Sequence, residues 1–318
     1  MLVYVILDGF DLCIGILFPF GRSEKDRDLM MNSIAPIWDG NEAWLVLGGG
    51  GLFAVFPLAY AIVMPALYMP ITLMLLALIF RGVSFEYRWR TRRWKRVWDW
   101  AFFGGSTLAA FCQGIALGAL VQGIAVTGRA YSGGWFDWLS PFSVLTGVAV
   151  VIGYALLGAT WLVLETEGEI QIQMRRYAWW LGAGTLGLIG VVSLITPFLE
   201  PIYFQRWFNL PGSMFSYVVP LLMLGLIWSF FTSLNNGKDL QPFLSALGFF
   251  VLSFIGIGIS FYPMIVPPNL TIWQAAAPEK SLAFALVGAA ILVPIILTYT
   301  GYAYWVFRGK LDPAKGYH

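Results

Sequence analysis

The chain has a single histidine, His318, the last of its 318 residues, and two cysteines, Cys13 and Cys112, both inside apolar runs. Haem, copper and iron–sulfur centres are held by histidine, cysteine or methionine. Two scattered cysteines and a terminal histidine build none of them, and the ten methionines read as packing. The cysteines read the same way, as small apolar residues rather than a disulfide or a metal site. Any redox role must therefore be exercised through a partner. No serine or cysteine stands in a nucleophile motif, so the residues of this chain support no nucleophilic chemistry. A phosphate-binding loop is also missing. The run Gly48-Gly49-Gly50-Gly51 follows Trp44-Leu45-Val46-Leu47 and predicts close helix–helix approach, as do Gly114 and Gly118.

Charge is scarce as well. Only 11% of residues are charged, against about 25% in a soluble domain. With 59% hydrophobic residues and a mean hydropathy of +0.75, this is the composition of an integral membrane protein. The short alternating segments of an outer-membrane barrel are absent, which leaves helices as the way to satisfy the backbone in lipid. Spans of about 20 residues are expected near 1–20, 42–62, 66–85, 100–126, 141–164, 178–198, 216–233, 244–266 and 281–307. The expected fold is all-α, with residues 1–318 forming a single polytopic membrane domain.

Fifteen of the nineteen lysines and arginines fall on alternate connections and the tail. Arg129, Arg206 and Lys280 fall on the other set, and Arg81 ends an apolar run. By the positive-inside rule the N-terminus lies outside and the C-terminus in the cytoplasm. The basic, tryptophan-rich stretch 88–100 reads as a topology determinant in contact with anionic lipid rather than as a nucleic-acid site.

Against this apolar background, carboxylates interrupt two of the expected spans. Asp8 and Asp11 lie in the first; Asp39 and Glu42 lie at the start of the second. An ionised carboxylate at the bilayer centre costs about 2.5–3.5 kcal/mol on insertion scales, so such residues face protein or water and are candidates for function. Each pair is spaced i, i+3, which places both side chains on one helix face. The plainer alternative is capping or interhelical hydrogen bonding: Asp39 precedes an apolar run as a cap would, and Gln113 and Gln122 read as interhelical bonds.

These residues stand in longer motifs. Asp8-Gly-Phe-Asp11, Ser33-Ile-Ala-Pro-Ile-Trp-Asp-Gly-Asn41, Phe80-Arg81-Gly-Val-Ser-Phe-Glu-Tyr87, Trp98-Asp99-Trp100 and Phe261-Tyr-Pro-Met-Ile-Val-Pro-Pro268 together resemble subunit II of cytochrome bd-type quinol oxidases, over essentially the whole chain. Trp38-Asp-Gly-Asn-Glu-Ala-Trp44 and the short C-terminal half look most like the cyanide-insensitive branch. The resemblance implies two four-helix bundles plus a peripheral helix, in a bacterial inner-membrane heterodimer that oxidises quinol and reduces O2 to water. It implies a partner, subunit I, that holds haem b and haem d, while subunit II binds no haem. It also allows small accessory subunits, and some members carry a structural quinone in subunit II, for which no residues are assigned here. On the matching positions, Asp11 and Asp39 would relay protons from the cytoplasm, with Arg81 as a nearby electrostatic partner and Asp8 and Trp38 as wall residues. Family chains usually begin further upstream, which bears on how deep Asp8 and Asp11 sit.

A proton-coupled secondary transporter would use the same carboxylates. That reading expects an internal repeat with paired broken helices, and the motifs around Asp8 and Asp39 have no counterparts in the second half of the chain.

Overall fold

A computed structural model describes residues 2–91, 93–209 and 212–311, apart from the side chains of Asp8, Phe10 and Phe215. The helices are α1 (Leu2–Leu17), α2 (Glu24–Asn32), α3 (Trp38–Val55), α4 (Pro57–Ala66), α5 (Tyr68–Arg90), α6 (Lys95–Gln122), α7 (Pro141–Glu165), α8 (Gly168–Ile195), α9 (Pro201–Phe208), α10 (Gly212–Asn235), α11 (Leu240–Phe261), α12 (Ile272–Ala275) and α13 (Glu279–Val306). Two small antiparallel hairpins, β1 (Val126–Thr127) with β2 (Ala130–Tyr131) and β3 (Met264–Val266) with β4 (Leu270–Thr271), lie in the connections.

Among the described residues, eight helices are long and apolar enough to cross a membrane. The expected span 42–62 is not one of them. Its sequence splits at Phe56, whose φ of −130° and ψ of 63° leave the helical region, and Pro57 restarts the chain as the first residue of α4. Proline has no N–H to offer an ongoing helix but fits the first helical position. The 18 residues of α3 still reach about 27 Å, while α4 packs on β2, β3 and α12.

The connections gather at two opposite ends. At one end the Gln173 amide donates to the Phe20 carbonyl, Arg175 and Lys310 both bind Asp239, and Arg88 binds Asp28. At the other, Ile124 donates to the Pro267 carbonyl, Tyr203 to that of Val121, and Ala277 to that of Val55. With α3 counted as a leg, the described residues pass between these ends nine times. The first end carries nearly all the cations and is called the basic end below.

Near that end the expected loops are shorter than the sequence suggested. α5 runs on to Arg90 and α6 begins at Lys95, so Arg88 belongs to a helix. Its buried guanidinium bonds Asp28 and Asp99 at 2.6 Å each and lies over the Phe18 ring. α8 begins at Gly168, which puts Arg175 and Arg176 two turns inside a helix.

α7 is the central helix, packed against α1, α6, α8 and α11. It meets α6 closely because Gly114 and Gly118 have no side chains. A Cβ on Gly114 would stand 2.5 Å from the Thr146 carbonyl oxygen, and one on Gly118 would meet the Thr146 hydroxyl. The Gly48–Gly51 run does not behave as expected: Cβ atoms on Gly49, Gly50 or Gly51 would meet nothing within 4 Å, so among the described residues no helix approaches them as closely as α7 approaches Gly114. Gln113 bridges three helices, donating to Tyr4 at 2.6 Å and accepting from Tyr154 at 2.8 Å. Gln122 accepts from Ser140. Cys13 and Cys112 are buried and unbonded to each other. Peripheral α13 packs mainly on α3 and buries none of its residues fully.

Candidate functional site

The site is built on the first two turns of α3. Trp38 stacks on Phe85 of α5 with ring centroids 5.1 Å apart and 20° between planes. One turn along, Glu42 pairs with Arg81. These two contacts fix α3 antiparallel to α5, with Trp38 also under the Arg81 guanidinium at 5.7 Å. Arg81 is nine residues from the end of α5, about 13 Å inside the basic end at 1.5 Å per residue. It is completely buried, whereas a quarter of the Glu42 side chain is exposed. A guanidinium at this depth needs a carboxylate to offset its lost hydration.

Asn41, adjacent to Glu42, faces α1. Its amide nitrogen donates to the Asp11 carboxylate at 2.6 Å and to the Tyr304 hydroxyl of α13 at 2.9 Å, and it approaches the Leu7 carbonyl at 3.4 Å. The two short bonds account for its two hydrogens. Asp11 is fully buried. Tyr304 in turn sets its ring edge-on to Trp161 of α7. A polar chain therefore crosses α1, α3 and α13, beside an ion pair joining α3 to α5.

The structure brings together Asp11, Trp38 and Arg81 of the sequence-predicted residues: Trp38 lies under the Arg81 guanidinium, and the adjacent Asn41 and Glu42 bind Asp11 and Arg81. Asp39 stands apart. It is exposed on the open side of α3 and makes no hydrogen bond or ion pair with a described residue. Nor does it cap the helix, because α3 starts at Trp38 after Ile37 and Asp39 lies within the first turn. There the helix dipole favours its charge. Asp8 lies outside the described side chains. Asn41 and Tyr304 are residues that motif reading passed over, and Glu42 was named there only as a paired carboxylate, without its Arg81 partner. Glu42 had a signal in its i, i+3 spacing from Asp39; Tyr304, distant in sequence, had none.

The open side of α3 continues as an apolar surface through Val46, Leu47 and Phe53, and α5 exposes Leu76, Ile79 and Phe80. Asp39 lies in the first turn of α3, one turn nearer the basic end than Glu42, and so is level with a point about 9 Å short of the end of α5 at 1.5 Å per residue. An ionised carboxylate at such a level is costly against lipid; a covering protein relieves that cost.

The family model described as cytochrome bd terminal oxidase subunit II matches residues 1–307. The chain is 32% identical to the cytochrome bd-I ubiquinol oxidase subunit 2 of Escherichia coli, over 97% of this chain and 91% of that protein. It is 29% identical to the cytochrome bd ubiquinol oxidase subunit 2 of Bacillus subtilis, over 97% and 93%. Its fold matches a chain of the bd oxidase structure from Geobacillus thermodenitrificans with a TM-score of 0.68 at 17% identity, covering 96% of each chain. At that identity the likeness speaks for the fold alone.

Proposed function

The chain belongs to the cytochrome bd terminal oxidase subunit II family, and on that premise we propose that it carries protons from the basic end to the haem-bearing subunit of a bd-type quinol oxidase. As a subunit of a quinol:O2 oxidoreductase it works beside a partner subunit. In this reading the partner holds haem b and haem d, this chain holds no haem, and the basic end faces the cytoplasm.

Oxygen reduction consumes protons. Drawing them from one side while quinol releases its own on the other builds a potential without a pump. A path for them needs groups that exchange a proton and stand within hydrogen-bond reach or a few waters of one another. Asp11, buried and bonded through Asn41 to Tyr304, supplies one such group. Asp39 supplies another, on the face open to a partner. Arg81, held by Glu42 and Trp38, supplies a fixed positive charge near them. The observation that carries the proposal is the exposure of Asp39 in the first turn of α3, beside the apolar surfaces of α3 and α5. A carboxylate so placed belongs at an interface, where it hands protons across.

The test is Asp39→Asn in the assembled oxidase. The amide keeps the size and much of the hydrogen bonding but exchanges no proton through a carboxylate. Haem content should survive while oxygen consumption and proton uptake fall together, and Asp39→Glu should retain part of the activity. Unchanged turnover in an intact Asp39→Asn complex would remove Asp39 from the path.

A further inference from the structure

Helices α8 and α10 carry a groove that the proton path does not use. Near the basic end, α8 and α10 part to leave a cleft of about 420 Å³, lined by Arg175, Arg176, Trp179, Trp180 and Asn235 among others. It lies on helices other than α3 and α5, away from the face on which Asp39 is exposed.

The two arginines differ. Arg175 is committed: its guanidinium donates to Asp239 at 2.6 Å and to the carbonyls of Lys238 and Gly237 at 2.8 and 3.3 Å, closing the turn between α10 and α11. Arg176 is exposed and forms no hydrogen bond or ion pair with a described residue. The nearest acid on its own face of α8 is Glu169, two turns and about 10 Å away. Around the groove, among the described residues, Arg175, Arg176, Lys238 and Lys310 stand against two acids, Asp239, which Arg175 and Lys310 bind, and Glu165, near Lys310. Among the described residues the groove therefore holds an excess of positive charge, with Arg176 itself facing no acid.

Depth along α8 orders the groups. One turn inward from Arg175 and Arg176, the exposed indoles of Trp179 and Trp180 meet edge to face, 4.8 Å between centroids. Beyond them Ala183, Gly184 and Gly187 are exposed, so the helix surface there is low and bare. Cation, then indole, then a shallow apolar track is the sequence of layers from phosphate to glycerol to acyl chain in one leaflet.

We propose that this groove binds an anionic phospholipid of the leaflet at the basic end, its phosphodiester on the Arg176 guanidinium and the Asn235 amide and an acyl chain along Ala183 to Gly187. A net-neutral lipid lacks the charge to balance the site. The committed Arg175 sets the groove's shape, and Arg176 supplies the charge that selects.

The test uses the assembled oxidase, delipidated in detergent, titrated with phosphatidylglycerol or phosphatidylcholine and read by native mass spectrometry. Phosphatidylglycerol should bind more tightly. Arg176→Gln should weaken it about fivefold, the effect of about 1 kcal/mol for one basic residue at an anionic surface. Arg22→Gln, an exposed cation at the same end but outside the groove, should leave binding unchanged. Equal binding of the two lipids, an unaltered affinity in Arg176→Gln, or the same loss in both variants would overturn the site, as would an isoprenoid quinone found in the groove in place of phospholipid.

Discussion

The Glu42 carboxylate accepts a hydrogen bond from the guanidinium of Arg81, tying the second turn of α3 to the middle of α5 around a fully buried cation. Removing one partner of a fully buried ion pair costs about 3–5 kcal/mol, because the other charge is left without compensation. A quarter of the Glu42 side chain is exposed, so solvent offsets part of that. Glu42→Gln should therefore destabilise by about 1–3 kcal/mol, seen as a lower melting temperature of the detergent-solubilised complex. An unchanged melting temperature would mean that the pair does not hold α3 to α5.

Tyr304 separates a proton-carrying role from a structural one. Tyr304→Phe keeps the ring against Trp161 and removes only the hydroxyl bonded to Asn41. The stability cost should be near 1 kcal/mol, that of one hydrogen bond. If Asp11 receives its proton past this hydroxyl, turnover should fall severalfold with haem content intact and a larger solvent isotope effect. A loss of stability without change in turnover would make the Asp11–Asn41–Tyr304 chain a fastening for α13.

What the sequence made legible follows from local chemistry. Asp11 and Arg81 announce themselves because charge in an apolar run is expensive, and the structure buries both. Gln113 and Gly114 likewise play the parts their types suggest. The partners are another matter. Asn41 looked like one letter of a motif, and its bonds to Asp11 and Tyr304 span 30 and 263 positions. No periodicity encodes such contacts. Pro57 was in plain view, yet the segment 42–62 reads as one span because hydropathy averages over the break at Phe56. The glycines at 49–51 show the limit of a composition rule: small residues permit close approach, but whether a helix takes the opening is set by tertiary packing that composition does not encode.

That distinction is testable at two glycines. Gly114→Ala places a methyl 2.5 Å from the Thr146 carbonyl oxygen in a backbone-to-backbone contact that cannot yield cheaply. Overpacking of this kind costs about 1–3 kcal/mol, and the isolated subunit should lose thermal stability accordingly. A Cβ on Gly50 would meet nothing within 4 Å, and the residue is exposed, so Gly50→Leu extends outward from α3. It should leave the subunit's own melting temperature unchanged while reducing copurification with the partner, if the partner lies on α3. Retention of the partner at full yield would move the interface elsewhere.

Orientation is checked by access. Ser132 is exposed at the cation-poor end and Thr91 lies at the basic end between α5 and α6. In intact cells an impermeant maleimide should label Ser132→Cys and spare Thr91→Cys. The reverse pattern would invert the membrane topology and the direction of proton entry with it.

The last prediction concerns acid. Partial burial pushes the Asp239 carboxyl up, but the bonded Lys310 ammonium and the Arg175 guanidinium outweigh it and hold the group below the usual carboxylate range. Lys310 also donates to the carbonyls of Val163 and Thr166, so Asp239 helps pin the chain after α13 onto the end of α7. Glu24 is lowered in the same direction by its hydrogen bond with Lys95. A carboxylate with a depressed folded-state pKa contributes stability that is complete above its unfolded value of about 3.9 and is lost as pH falls through the lower folded value. At neutral pH, Asp239→Asn should therefore melt below the native protein and be cleaved faster by trypsin after Lys310. As pH drops below about 4, the native protein should lose this advantage and the two melting temperatures converge. A gap that persists unchanged in acid would show that Asp239 acts through packing rather than charge.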